Sequence, residues 1–212
     1  MATVMQRISG QAARGGVFCA TGLLLAAAVG CSQQPAQAPP AESAADAVAV
    51  VPDAEPSAAQ REKMVAAKDA LFQQLSGRLA EVIGAEGPAA AIAVCQTEAL
   101  EITRRVGEQQ GLQIGRTGVR LRNDANQPPP WSQPLIAAAT AEPTFVMLTN
   151  NHAAALLPIK LQPQCVVCHG SPSDIPDSIQ TKLAELYPGD DATGFAPGEL
   201  RGWFWIELPP DA

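Results

Sequence analysis

Two cysteines and a histidine stand together late in the chain, in the run Cys165-Val166-Val167-Cys168-His169. Two cysteines separated by two residues, with histidine directly after, form the attachment signature of c-type haem. The chemistry needs this spacing, because each thiol adds to one vinyl group of the porphyrin and the adjoining imidazole then lies under the ring and binds the iron. The sequence predicts one covalent haem c on Cys165 and Cys168, with His169 as a ligand of its iron.

Two other interpretations of this cysteine pair are weaker. A thioredoxin-like redox pair normally sits at a strand–helix junction, whereas Gly170-Ser171-Pro172 follows the motif and breaks a helix. A structural zinc site needs four ligands, and only Cys95 and His152 could complete it. The sequence therefore favours haem over a disulfide or zinc.

Haem c is attached outside the cytoplasm, and the N-terminus predicts export. Residues 1–30 carry Arg7 and Arg14 but no acidic residue, and they contain an apolar run over 17–29. This run is too short for a bilayer span of roughly 20 residues but suits a signal peptide. The signal peptide is therefore predicted over residues 1–30.

The signal peptide ends in Ala28-Val29-Gly30-Cys31, which resembles a lipobox. Cleavage before Cys31 would leave a thiol that carries lipid and anchors the protein, since two or more acyl chains hold a protein stably on a membrane. Ser32 after the cysteine favours the outer membrane, on the periplasmic side. The alternative is a nearby cut that releases a soluble protein.

A linker and one domain are predicted after the signal peptide. Residues 32–57 are mostly Gln, Ala, Pro, Ser and acids, with Val48, Val50 and Val51 as the large apolar exceptions. We therefore expect a lipidated cysteine and disordered tether over 31–56 and one folded domain over 57–209. The formal net charge of −7 argues against nucleic acid as a partner.

The first half of the domain shows helical periodicity. Ser57 and Gln60 form a capping box, and Gly84 is expected to end the first helix. Gly87-Pro88 begins a second helix, which Gly111 ends. Apolar residues recur on one face of each helix: Met64, Leu71, Leu75, Leu79 and Val82 on the first, and Ile92, Cys95, Ala99, Ile102 and Val106 on the second. Cys95 therefore points toward the core.

The second half of the domain predicts strands. Residues 112–122 alternate weakly and 123–134 form a polar loop around Trp131. Further elements follow in the order strand 144–148, turn 149–152, strand 153–161, helix 177–186 and strand 202–208. Helices followed by antiparallel strands predict an α+β fold, with the N-terminal helices packed on the sheet.

The second axial ligand of the iron must come from upstream of the motif, because no Met, His or Cys follows His169. Four residues are candidates: Met64, Cys95, Met147 and His152. The two methionines fit ordinary core packing. Cys95 lies on an inward helix face and is left over once the other cysteines are assigned, whereas His152 lies in a turn. The residues themselves leave Cys95 and His152 open.

Ordered motifs across residues 60–208 give the chain a resemblance to a known family. They include Ala91-Ile92-Ala93-Val94-Cys95, Gly115-Arg116-Thr117, Leu121-Arg122-Asn123, Pro158-Ile159-Lys160, Asp191-Ala192-Thr193-Gly194-Phe195 and Gly198-Glu199-Leu200-Arg201-Gly202. The chain resembles the small c-type haem family with a PAS-like fold, known mainly as a domain of unknown function and proposed as a redox sensor. The resemblance implies a PAS-like domain with His169 as proximal ligand and Cys95 as distal ligand. Asp124 and Leu156-Leu157 depart from the family pattern.

Three arginines stand close together in one of these stretches, Arg116, Arg120 and Arg122. A guanidinium fork suits a carboxylate, so one or more of them is a candidate for holding a haem propionate. The alternative is surface charge on a polar loop.

Three functions compete for such a haem. Thiolate ligation favours a low reduction potential and fits either a redox sensor or a simple electron carrier with an unknown redox partner. A bis-histidine cytochrome using His152 is the conventional alternative. A peroxidase-like enzyme would need an open iron position and a distal acid–base group, so we expect the protein not to be an enzyme.

Overall fold

The computed structural model describes residues 47–118 and 120–210. The predicted signal peptide and the predicted lipidation site at Cys31 lie outside the described residues. Within them the helices are α1 (Ala58–Glu86), α2 (Pro88–Gln110), α3 (Gln133–Ala137), α4 (Val166–His169) and α5 (Asp177–Leu186). Short 3₁₀ turns precede α3 at Pro130–Ser132 and α4 at Pro163–Cys165.

The strands form one antiparallel sheet. They are β1 (Val50–Val51), β2 (Gln113–Thr117), β3 (Thr144–Leu148), β4 (Ala153–Lys160) and β5 (Leu200–Leu208). Their order in the sheet is β1-β3-β4-β5-β2, and every neighbouring pair is antiparallel. The predicted α+β class, with N-terminal helices on an antiparallel sheet, is confirmed.

Helix α1 begins where its capping box predicts. The Ser57 hydroxyl accepts from the Gln60 amide at 3.3 Å, and the Gln60 side chain accepts from the Ser57 amide at 2.9 Å. The predicted end at Gly84 is wrong, because the helix continues to Glu86. A glycine inside a helix costs only about 1 kcal/mol, whereas Gly87 adopts φ 89° and turns the chain into α2.

The main core lies between the α1–α2 hairpin and one face of the sheet. Buried side chains from α1 and α2 meet small and large residues of β4 and β5: Met64, Leu71, Ala99, Ile102, Val106, Ala153, Ala155, Leu157, Phe204, Ile206 and Leu208. The alanines on β4 let the helices approach the sheet closely. Gly111 ends α2 in the left-handed conformation, as predicted.

The opposite face of the sheet is also covered. Trp131 is only 3% exposed, and its indole N–H donates to Glu207 Oε1 at 2.6 Å. The segment predicted as a polar loop therefore folds partly, into the 3₁₀ turn and α3, because Trp131 and Ile136 pack against residues of β4 and β5. Within residues 47–118 and 120–210, no helix is long and apolar enough to cross a membrane.

The ordered domain starts earlier than residue 57. Val50 and Val51 pair with Leu148 and Met147 of β3, and Val48 and Val50 pack against the Trp131 cluster. Residues 48–51, which the sequence predicts as part of the tether, therefore pair and pack with the sheet. These β-branched residues suit a strand, and the edge of β3 offers them backbone partners.

Candidate haem site

The cysteine–histidine motif forms a single helical turn after β4. The 3₁₀ turn leads into α4, which ends at Gly170. Cys165 and Cys168 are three residues apart on this turn, so their side chains lie on one side of it. A Cβ atom at Gly170 would lie 2.5 Å from the carbonyl oxygen of Val166, and glycine therefore permits this tight end.

The two motif thiols contact separate apolar clusters. Cys165 packs against Leu161, Ala192 and Phe195. Cys168 packs against the cluster formed by Ile92, Ile175, Ile179, Leu183 and Tyr187. Both thiols are free and only partly buried, and burial raises the pKa of Cys168. The turn thus presents two free thiols beside apolar clusters, which suits a flat apolar macrocycle.

His169 is held in a defined orientation. Its Nδ1 atom lies 2.7 Å from the carbonyl oxygen of Ala192, and a carbonyl can only accept, so Nδ1 carries the proton and Nε2 keeps its lone pair. Burial, followed by the charges of Arg122 and Arg201, lowers the pKa of His169 to about 3. A neutral imidazole whose other nitrogen donates to a carbonyl is the arrangement found in metal-ligating histidines.

A loop between α5 and β5 holds the motif from the other side. The amide of Phe195 donates to His169 O at 2.9 Å, and the amide of Gly194 donates to Gly170 O at 2.7 Å. Gly194 adopts φ 78°, which favours glycine at this position. The loop therefore joins the end of α4 by backbone bonds as well as through Ala192.

Cys95 lies on the face of α2 that is turned toward the motif. Ile92, one helical turn earlier, belongs to the same apolar cluster as Cys168. The side chain of Gln96 donates to Leu186 O at 3.0 Å and joins α2 to α5. Burial raises the pKa of the Cys95 thiol, while the charges of Arg116 and Arg122 act to lower it. The structure therefore brings a helix cysteine and nearby cations to the motif's side of the domain.

Two buried polar atoms near Cys95 have no partner among the described residues. They are Nε of Arg116 and the hydroxyl oxygen of Tyr187. Both residues interact electrostatically with Cys95. Buried donors without partners are costly, and an acceptor such as a carboxylate or a thiolate would satisfy them. The residues around the motif therefore fit a haem, which brings two carboxylates.

Comparison with known proteins identifies a family and a similar solved structure. The model of the Tll0287-like family matches residues 38–209. The chain belongs to the Tll0287-like family. A solved structure, the cyanobacterial heme-protein Tll0287, is similar with a TM-score of 0.55 and 20% sequence identity over 73% of this chain and 97% of that chain. At this identity the similarity shows the fold. No curated protein matches.

In this member of the Tll0287-like family, His152 lies far from the motif. It directly precedes β4, and the motif follows the other end of that strand, which spans about 23 Å at 3.3 Å per residue. The His152 ring lies 3.7 Å from Glu207 instead. Among the described residues, no three His, Cys, Asp or Glu side chains are grouped to hold a metal ion.

The two methionine candidates are packing residues, as the sequence favours. Met64 is fully buried in the main core, and Met147 packs against the same core from β3. Neither belongs to the clusters that surround Cys165 and Cys168.

The three predicted arginines have different partners. Arg122 pairs with Asp190 at 3.0 Å. Arg120 donates to Thr193 O at 2.8 Å and stacks over the Phe195 ring at 3.8 Å. Arg116 alone among the three has a buried nitrogen without a partner.

Sequence reasoning missed three residues that surround His169. Arg201 places its Nε 3.4 Å from His169 Nδ1, Asp190 pairs with Arg122, and Ala192 supplies the carbonyl acceptor. Every residue carries a backbone carbonyl, so the sequence does not indicate which carbonyl accepts a hydrogen bond from His169. Ala192 and Arg201 do lie in stretches that carry the family resemblance, and this was the available signal for both.

Proposed function

We propose that this protein is an exported c-type haem protein with a single haem, attached through Cys165 and Cys168 and ligated by His169 and Cys95. Bound there, the haem would supply a one-electron iron couple. The observation that carries the proposal is the hydrogen bond from His169 Nδ1 to Ala192 O, since it prepares a neutral imidazole for a metal within the turn that presents both thiols. Similarity to the cyanobacterial heme-protein Tll0287, after which the family is named, supports haem binding.

The choice of Cys95 as distal ligand rests on position and charge. Cys95 is on the helix face beside the cluster that contains Cys168, whereas His152 precedes the opposite end of β4, a strand about 23 Å long. Burial raises the pKa of the Cys95 thiol, and the charges of Arg116 and Arg122 oppose this rise and act toward the thiolate form that binds iron. Thiolate is electron-donating, so the proposal includes a low reduction potential.

Arg116 is the best supported of the three arginines for a haem carboxylate. Its Nε has no partner within residues 47–118 and 120–210, while Arg120 and Arg122 already bind protein carbonyls or carboxylates. The roles of Arg120 and Arg122 in holding a propionate are correspondingly less supported.

The proposed role is electron transfer or redox sensing, with no enzymatic activity. His169 and Cys95 would both hold the iron, which suits a redox couple better than substrate activation. A peroxidase would need a distal acid–base group, and the only imidazole besides His169, that of His152, lies beyond the other end of β4. The PAS-like classification belongs to this proposal, and the antiparallel sheet with helices on it supports it.

The proposed location is the periplasm, with a lipid anchor on Cys31 in the outer membrane. The support is the signal-peptide pattern of residues 1–30 and the cysteine that follows it. Growth with a clickable fatty acid tests this part separately. Label on the wild-type protein and none on Cys31→Ala is the expected result, and label that survives the substitution contradicts it.

The central test is expression together with the c-type maturation machinery. The purified protein is expected to be coloured, to carry the added mass of one haem, and to keep it after denaturation. Cys165→Ala/Cys168→Ala is expected to lose the covalent haem. Colourless wild-type protein without the added mass would overturn the proposal. Comparing how readily the reduced protein binds CO with how fast it exchanges electrons then separates sensing from electron transfer.

A further inference from the structure

A buried ion pair lies directly behind the histidine of the motif. Arg122 Nε lies 3.1 Å from Asp190 Oδ2, and Nη2 lies 3.0 Å from the same oxygen. The two side chains are only 8% and 9% exposed. Removing two charges from water is costly, so a buried pair is weak evidence of stabilisation. The pair is therefore better explained by the backbone that it holds in place than by the stability that it adds.

Both members of the pair bind the backbone on either side of His169. Arg122 Nη2 donates to Cys168 O at 2.6 Å and approaches Ala192 O at 3.4 Å. Asp190 Oδ1 accepts from the Ala192 amide at 2.9 Å. Ala192 O in turn accepts from His169 Nδ1 at 2.7 Å. The contacts form a closed ring that joins α4 to the loop between α5 and β5.

We infer that the Arg122–Asp190 ion pair is the positioning unit of His169: it fixes the Ala192 carbonyl relative to Cys168 and thereby sets the orientation of the imidazole. This inference rests on the proposed role of His169 as an iron ligand. Arg122 and Asp190 act through Ala192 and do not themselves contact the haem iron. Arg122 then has a structural task that differs from holding a propionate.

Three variants of the haem-loaded protein separate positioning from charge. Arg122→Gln and Asp190→Asn each remove one charge, and the double variant removes both and restores the net charge. A purely electrostatic role predicts that the two single variants shift the midpoint potential in opposite directions and that the double variant recovers wild-type behaviour. A positioning role predicts that the double variant still differs from the wild type in its hydrogen exchange and its ferric spectrum.

The first readout is hydrogen exchange at the amides of Gly194 and Phe195, which donate to Gly170 O and His169 O. Both amides donate to backbone carbonyls and not to the substituted side chains. All three variants are expected to speed their exchange by about tenfold or more, the equivalent of one charge-assisted hydrogen bond. The second readout is the ferric electron paramagnetic resonance spectrum. One low-spin species is expected for the wild type, and more than one for the variants, as the imidazole orientation is no longer unique.

The matched control is the ion pair of Arg78 with Glu98, which joins α1 to α2 on a more exposed surface. Arg78→Gln/Glu98→Gln is expected to leave both readouts unchanged. If the Arg122 double variant fails to fold, Arg122→Lys replaces it, since lysine keeps the charge but lacks the fork that reaches two acceptors. Faster exchange is again expected.

The inference would be overturned if the double variant showed wild-type hydrogen exchange and a single low-spin species. Where Arg122→Lys replaces the double variant, the same result in Arg122→Lys would overturn it. His169→Ala distinguishes this from failure of the proposed function. If His169→Ala keeps the wild-type ferric spectrum, His169 is not the ligand and the proposed function fails in that part. If His169→Ala changes the spectrum while the ion-pair variants do not, only the positioning inference fails.

Discussion

The imidazole of His169 donates its Nδ1 hydrogen to the carbonyl oxygen of Ala192, 2.7 Å away and 23 residues later in the chain. This bond determines which ring nitrogen is protonated, and it leaves Nε2 available. It also makes the motif depend on a distant loop, since Ala192 is itself held by Asp190. The motif contains the proposed ligand His169, whereas the loop determines the tautomer and the orientation of its imidazole.

The burial of His169 predicts a pH dependence in the haem-free chain. The folded pKa is about 3 against 6.5 for the ordinary group. Between these values the unfolded state binds a proton that the folded state does not, so the free energy of unfolding falls as the pH drops from 6.5 toward 3. The contribution of one site is at most about 1.4 kcal/mol per pH unit.

Urea unfolding of Cys165→Ala/Cys168→Ala at a series of pH values measures this dependence. Adding His169→Gln removes the imidazole, and the difference between the two curves isolates its contribution from that of the carboxylates. The two curves are expected to diverge below pH 6.5, with the histidine form losing more stability. Parallel curves would show that His169 titrates alike in the folded and unfolded chains.

Replacing the proposed distal ligand should change the haem spectrum and its potential. Cys95→Ala is expected to abolish the long-wavelength thiolate band of the ferric protein and to raise the midpoint potential, because an electron-donating ligand is lost. Absorption spectroscopy and spectroelectrochemistry measure both effects.

His152→Ala is the contrasting variant, because the structure places His152 next to Glu207 and away from the motif. It is expected to keep the wild-type spectrum. The reverse pattern, with the thiolate band intact in Cys95→Ala and the spectrum altered in His152→Ala, would contradict the ligand assignment.

Local signals in the sequence predict much of the fold. The capping box at Ser57, the left-handed end at Gly111 and the helix over Asp177–Leu186 all come from interactions within a few residues. The cysteine on the inward face of α2 is also a local pattern. Such features can be predicted because their partners are close in sequence.

The parts that were missed depend on distant partners. The valines near residue 50 form a strand only because the edge of β3 is free to pair with them. Trp131 folds its proline-rich segment by binding Glu207, 76 residues away. Arg122 and Asp190 are 68 residues apart. No local pattern indicates such pairs. The sequence therefore predicts the haem-attachment motif but not the contacts that surround it.

Removing the charge of Arg116 should lower the reduction potential of the bound haem. A cation near the site stabilises the reduced, more negative form, and Arg116 is a cation with an unpartnered nitrogen that interacts with Cys95. Arg116→Gln is expected to lower the midpoint potential by about 60 mV, the one-electron equivalent of about 1.4 kcal/mol.

Arg104→Gln is the control for Arg116→Gln, because Arg104 pairs with Glu101 and Glu108 on the exposed side of α2. Spectroelectrochemistry is expected to show no shift for this variant. An equal shift in both variants would mean that net charge alone sets the effect, and an unchanged potential in Arg116→Gln would place Arg116 away from the haem.

The end of α4 should be sensitive to a single methyl group. In Gly170→Ala the new Cβ would lie 2.5 Å from Val166 O and 3.2 Å from Val166 Cβ, so the turn that presents Cys165 and His169 must shift. Crowding of this kind costs about 1–3 kcal/mol. Gly189→Ala is the matched control, since nothing lies within 4 Å of its added Cβ. Chemical unfolding together with covalent haem content is expected to show a loss for Gly170→Ala only, and equal behaviour of the two variants would mean that the turn tolerates the displacement.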